Sequence, residues 1–263
     1  MNKFTYALAL GAGLVLSLAA SNAQAAPIVQ SLTTADISAA TFNSLFTPAA
    51  PVLTGNYGFV NTGTAGTVES QVFTGTGAAA GVNAYVYQFT VNNATDSTTG
   101  QPASVNSTSM LFNATPSSGN LTGSNASAYV ITDGAVGGLS APVGAPGIGV
   151  QAPSTIAWQP GTSTGSLTFQ YLNPTTGAGP LASGATSAEI VVLSTQPASQ
   201  QNVFVSLQNP EPQNSYPVVY SPTSGTIEPV PAPEPATVLA WTSVIAALAV
   251  GHRFRRNHKP FVA

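Results

Sequence analysis

Between Ala26 and Ala232 the chain carries no Lys, Arg, His or Cys. Charged residues ordinarily make up about a quarter of a globular domain, so this absence removes whole classes of stabilisation. No salt bridge and no disulfide can form within that stretch. A region of about 200 residues is long enough to bury most of the surface it would expose unfolded, and it must hold itself by packing and hydrogen bonds alone. Its ionisable side chains other than tyrosine are Asp36, Glu69, Asp96, Asp133, Glu189, Glu211 and Glu228. The polar surface is therefore built from Ser, Thr, Asn, Gln and backbone amides, which do not titrate and respond little to salt.

Alternation then sets the fold class. In the stretch 84–92, Tyr85, Tyr87, Phe89 and Val91 fall on one face and Val86, Gln88 and Thr90 on the other, the period of a half-buried strand. Similar runs occur at 70–74, 109–113, 128–132, 155–159, 166–172, 189–194, 202–208 and 216–221. Clusters of turn-forming residues separate them, such as Thr98-Thr99-Gly100-Gln101-Pro102 and Asn173-Pro174-Thr175-Thr176-Gly177. Eight or nine short strands so punctuated predict an all-β fold, an antiparallel β-sandwich over residues 26–221. A short helix is expected only within 34–45. The Gly-, Pro- and Ala-rich stretch 135–153 predicts an extended loop over one end of the sandwich. No repeat of fixed period supports a solenoid or propeller.

Both ends of the chain carry addresses. Residues 1–25 read as a secretory signal peptide, with Lys3 in the n-region, an apolar core over 6–20, and Ala23-Gln24-Ala25 as the small-residue cleavage pattern. Cleavage between Ala25 and Ala26 is expected, and the alternative is an uncleaved N-terminal anchor. At the other end, a proline-rich polar linker (222–232) acts as a semi-rigid spacer. It leads to Pro233-Glu234-Pro235, an apolar run over 236–251, and a basic end with Arg253, Arg255, Arg256 and Lys259. As a helix the run would rise about 24 Å, short of a hydrocarbon core about 30 Å thick. Trp241 near its outer end and snorkelling arginine stems lengthen the effective span. The positive-inside rule keeps the basic end in the cytoplasm and places the preceding chain outside.

These three parts, in this order at the C-terminus, resemble the PEP-CTERM sorting signal of exopolysaccharide-producing Gram-negative bacteria. The resemblance covers residues 233–259. It implies that Pro233, Glu234 and Pro235 form the recognition element for exosortase, a membrane-embedded cysteine transpeptidase-like enzyme, with 236–251 as the membrane helix and Arg253, Arg255 and Arg256 as the stop signal. His252 before the basic cluster and the continuation through Asn257 to Ala263 depart from the pattern without breaking it. The implied location is the inner membrane through the C-terminal helix, then the cell surface or exterior after processing. A plain membrane anchor without processing is the alternative, while a glycolipid-anchor signal fits poorly because its apolar tail would not end in positive charges.

The chemistry available to the exported segment is narrow. A nucleophilic triad lacks a base and a zinc site lacks its nitrogen and sulfur ligands, since His252 and His258 lie in the tail. No catalytic residue, metal or cofactor is therefore expected. Without positive charge there is no partner for the phosphates of a nucleic acid, and no Asp-rich loop has calcium-binding spacing. Two-carboxylate hydrolysis stays open only if Glu189 converges with Glu211 or Asp133. Tyr85, Tyr87, Trp158, Phe169 and Tyr171 would serve a carbohydrate-binding or adhesive module if they face solvent, and are core residues otherwise. Asn-x-Ser/Thr triplets at Asn93, Asn106, Asn113, Asn120 and Asn125 are formal glycan acceptors, although chance suffices to explain them in so Ser-, Thr- and Asn-rich a chain. The expected function is a noncatalytic surface or matrix protein held at the membrane, and the resemblance implies that it meets an exosortase-type enzyme and exopolysaccharide.

Overall fold

The computed structural model describes residues 29–223 apart from 124, 162–163 and 207–211. The signal peptide with Ala25 and Ala26, the linker beyond Thr223, the 233–259 signal and the acids Glu211 and Glu228 lie outside the described residues. Among the described residues, no helix is long and apolar enough to cross a membrane.

The described chain is all-β, with one α-helix. Its first half contains β1 (Gln30–Ser31), β2 (Thr34–Asp36), α1 (Ala39–Leu45), β3 (Phe46–Pro48), β4 (Leu53–Phe59), β5 (Ala65–Gly75), β6 (Asn83–Val91), β7 (Ser104–Val105), β8 (Ser107–Leu111), β9 (Gly119–Asn120) and β10 (Asn125–Ala126). There follow β11 (Ala128–Ile131), β12 (Thr155–Pro160), β13 (Gly165–Gln170), β14 (Leu181–Ala182), β15 (Glu189–Ser194), β16 (Ala198–Ser206), β17 (Gln213–Ser215) and β18 (Val218–Pro222). The larger sheet runs β17-β4-β5-β6-β15-β11-β2, with β3 also paired to β5; the smaller runs β1-β12-β13-β8-β16-β18. Pairing is antiparallel throughout except between β11 and β2. Short ribbons β9–β10 and β7–β14 stand apart.

The two terminal segments each cross between sheets. β1 pairs with β12 of the smaller sheet, and three residues later β2 begins on β11 of the larger. At the opposite edge β17 pairs with β4, and after Tyr216 and Pro217 the chain becomes β18 on β16 of the smaller sheet. Each crossing puts a short strand on an edge that would otherwise expose a row of unpaired amides.

One apolar core lies between the sheets. Val68, Val72, Tyr85, Tyr87, Phe89, Ile190 and Val192 of the larger sheet share it with Met110, Ile156, Trp158, Leu167, Phe169 and Val203 of the smaller. Trp158 donates its indole N–H to the Phe112 carbonyl at 3.3 Å. A Cβ at Gly165 would lie 2.5 Å from that indole nitrogen, so the glycine is where the ring fits against the neighbouring strand.

A second cluster lies on the other face of the larger sheet, and it corrects the expectation for the 84–92 strand. β6 is buried on both faces, because Ala84, Val86, Val191, Leu193 and Phe73 are covered by Phe42, Phe46, Val136 and Leu139. The helix expected within 34–45 is confined to α1, after the short β2. Ser38 caps it by accepting from Thr41 N at 3.1 Å, and Asp133 Oδ1 accepts from Ala39 N at 2.9 Å. α1 brings Phe42 against Phe46 at 4.7 Å and edge-on to Phe73 at 5.0 Å. The 135–153 stretch is strandless as expected. Its first part, however, lies along the face of the larger sheet rather than over an end, because the sheet offers it hydrogen-bond acceptors there.

Candidate functional site

Those acceptors are the most concentrated polar chemistry of the described chain. β5 directs Glu69 and Gln71 to the outer face, between the inward-facing Val68, Ser70 and Val72. Glu69 pairs with Gln88 on β6, and Glu189 at the head of β15 pairs with Ile131 on β11. The β6–β15 ladder sets Ile190 opposite Tyr87, so Glu189 and Gln88 are neighbours on the same face one step further along. Glu69, Gln88 and Glu189 thus form a polar row across three adjacent strands.

Every second amide of the overlying segment meets this surface. Val136 N donates to Glu189 Oε1 at 3.0 Å, Gly138 N to Gln71 Oε1 at 3.0 Å, and Ser140 N to Glu69 Oε2 at 2.8 Å. Ser140 Oγ adds a contact to Glu69 Oε1 at 3.1 Å, and Gln71 Nε2 anchors itself on the Ala50 carbonyl at 2.8 Å. The backbone here is a turn, closed by Leu139 N donating to the Val136 carbonyl at 3.1 Å with Gly137 at positive φ, and the amides it turns toward the sheet meet side chains rather than another strand.

Glu189 is fully buried, at 0% exposure. Burial pushes its carboxyl up to about 8; the Val136 amide opposes the rise, and the Glu69 and Asp133 charges add to it. The structure therefore brings Glu189 within electrostatic reach of Asp133, one of the two partners expected from sequence, and also of Glu69, which sequence reasoning missed. The signal for Glu69 was its place two residues before Gln71, in a strand whose alternate positions are apolar. The carboxyl lies beneath the docked segment and is shut off from solvent. Among the described residues no group of three His, Cys, Asp or Glu is placed to hold a metal ion.

Of the two alternatives for the strand aromatics, solvent-facing or core, the structure shows core. Tyr85, Tyr87, Trp158, Phe169 and Tyr171 are all buried. Tyr85 and Tyr87 donate to the carbonyls of Gln196 and Tyr220, each at 2.8 Å. Burial pushes the hydroxyls of Tyr57, Tyr85, Tyr87 and Tyr171 well above the usual tyrosine range. The aromatic pair that does face solvent is Phe204 on β16 and Tyr216 after β17, with rings 5.4 Å apart and 50% and 48% exposed. Val218, also exposed, follows two residues after Tyr216.

Comparison with known proteins gives no match: no family model, curated protein or solved structure is similar to this chain. The reading of the site therefore rests on its own residues. Of the five Asn triplets, Asn93, Asn120 and Asn125 are exposed and Asn113 is buried. Asn106 is half-buried, and Asn106 and Asn113 each hold their side-chain oxygen out of solvent.

Proposed function

We propose that this chain is an exported, noncatalytic surface or extracellular-matrix protein. In this reading a β-sandwich ectodomain is sent out by the signal peptide, held by the 236–251 helix, and sorted by an exosortase-type enzyme through Pro233-Glu234-Pro235. The sequence of the tail, with motif, apolar run and basic end in that order, is the observation that carries the reading. The disposition of the acids supports a noncatalytic role. Glu69, Glu189, Asp96 and Asp133 each accept backbone amides that shape the fold. A surface without cations also suits an environment of uncontrolled ionic strength.

The test is intact mass of the protein recovered from the native cell surface and medium, beside a variant with Pro233, Glu234 and Pro235 all replaced by Ala. A species beginning at Ala26 and lacking Arg253 to Ala263, lost in the variant, is the expected result. Retention of that tail in both proteins would reduce the signal to a simple anchor.

A second reading, a carbohydrate-binding or adhesive module at the same location, is favoured by the exposed Phe204–Tyr216 pair. Aromatic faces stack on sugar rings, and neutral polymers need no countercharge. Replacing both residues by Ala should abolish retention on neutral exopolysaccharide; unchanged retention would remove this reading and leave the first intact.

A further inference from the structure

Two buried acceptors on the polar row have no hydrogen-bond partner: Glu189 Oε2 and, on the neighbouring strand, Gln88 Oε1. An orphaned carboxylate oxygen in a fully buried site costs more than almost any other side-chain arrangement, and the group relieves it by taking up a proton. The surroundings push the same way. Glu69 faces Glu189 from β5 and Asp133 from the segment after β11, while β6 and β11 present Gln88 and Ile131, and α1 contributes no titratable group. No cation exists between Ala26 and Ala232 to balance a charge.

We propose that Glu189 is a neutral acid in the folded protein and acts as a proton-controlled clasp, holding Val136 to Ser140 on the larger sheet most firmly at acid and neutral pH and loosening that hold in alkali. The proton turns Oε2 from an orphan acceptor into a donor, with Gln88 Oε1 as the unpaired acceptor on the adjacent strand. Oε1 goes on accepting from Val136 N. Loss of the proton leaves a buried charge beside two like charges, so each opening of the segment that lets water in becomes less costly. Val136 and Leu139, buried in the outer cluster, would then be uncovered.

The direction with pH follows from linkage. In the unfolded chain Glu189 ionises near 4.5, whereas in the fold it keeps its proton to about 8. Between those values the folded state binds more protons, so stability falls as pH rises, opposite to the usual behaviour of a carboxylate. It is flat below and above that window.

The test is equilibrium unfolding of the full-length protein from pH 4 to 10, beside Glu189→Gln, with hydrogen exchange followed in the 133–141 segment. Gln keeps an acceptor for Val136 N, gains a donor and cannot ionise. The wild-type folding constant should drop about a thousandfold across the window while the variant stays flat. Above pH 8 the 133–141 amides should exchange faster in wild type than in the variant. A flat wild-type profile, or the same slope in the variant, overturns the proposal. Restoration of wild-type stability by Ca²⁺ at pH 9 would overturn it too, making the row a cation site. Should the variant not fold, titration of the ¹³C-labelled glutamate carboxyls in the wild type decides: all of them near 4.5 refutes the clasp, and one near 8 supports it.

Discussion

Gly137, between the two amides that dock on Glu189 and Gln71, tests how tightly the segment is seated. Its φ is +56°, a left-handed conformation in which Ala is less stable than Gly by about 1 kcal/mol. A Cβ there would lie 2.3 Å from Gln71 Oε1 and 2.6 Å from Phe73 Cζ. Neither neighbour yields easily. Gln71 is tied to Gly138 N on one side and to the Ala50 carbonyl on the other, and Phe73 is fully buried with its ring against Phe42. Overpacking of this kind costs about 1–3 kcal/mol, so Gly137→Ala should lose roughly 2–4 kcal/mol in total. Lifting the segment instead would break three amide bonds at about 1 kcal/mol each and expose Val136 and Leu139 at about 1.5–3 kcal/mol each, so the docked, strained form should persist. The reference is Gly147→Ala in the same connection, where φ is +77° and nothing lies within 4 Å of the added carbon. It carries the conformational cost alone, about 1 kcal/mol. Urea unfolding of both variants measures the difference. Equal losses in the two would refute the claim that the segment is packed onto Phe73 and Gln71.

Three further outcomes are expected. Trp158→Ala should destabilise by about 3–5 kcal/mol in denaturant unfolding, since it empties the centre of the inter-sheet core and strands the Phe112 carbonyl. Asp133→Asn should weaken the hydrogen bond at the start of α1, costing about 1 kcal/mol, and should move the titration of Glu189 downward, because one of the two like charges near it is gone. A pH series of unfolding curves separates the two effects by their opposite signs. Trypsin applied to the denatured chain should cut only after Lys3 and within Arg253 to Lys259, and fragments from between these sites in a mass spectrum would contradict the sequence-based account of the exported segment.

Strands with one buried face and an unbroken apolar alternation were legible: β12 and β13 alternate cleanly, and their sequence runs match the observed elements closely. β4 was missed because Leu53 to Phe59 contains two glycines and reads as a turn. Gly55 is there for space, since its Cβ would collide with Pro217, where the chain crosses between sheets. β5 was found only over 70–74 because Thr67 and Glu69 lie between apolar residues and look like surface, when one pairs with Thr90 and the other anchors a loop. Burial of β6 on both faces could not be read from its own sequence, since its cover comes from α1 and Val136, some 40 residues to either side. The same distance hid the acidic row. Glu69 and Glu189 are 120 positions apart, and only the register of β5, β6 and β15 brings them to one face.

That row also shows how a stretch without cations, from Ala26 to Ala232, accommodates its acids. Asp96 accepts from Thr98 N and Thr99 N at 2.8 and 3.1 Å, Asp133 from Ala39 N, Glu69 from Ser140 N and Oγ, and Glu189 from Val136 N. Backbone donors therefore take the place that Lys and Arg hold elsewhere, and each acid fixes a turn, a helix start or a loop. An amide carries only a partial charge, so this substitution suffices where water completes the solvation. Glu189 has one amide, no water-facing oxygen and two negative neighbours, and at that position alone the scheme requires a proton as well. Among the described residues, a fold stripped of cations thus concentrates its pH dependence in Glu189, whose carboxyl its backbone does not fully solvate.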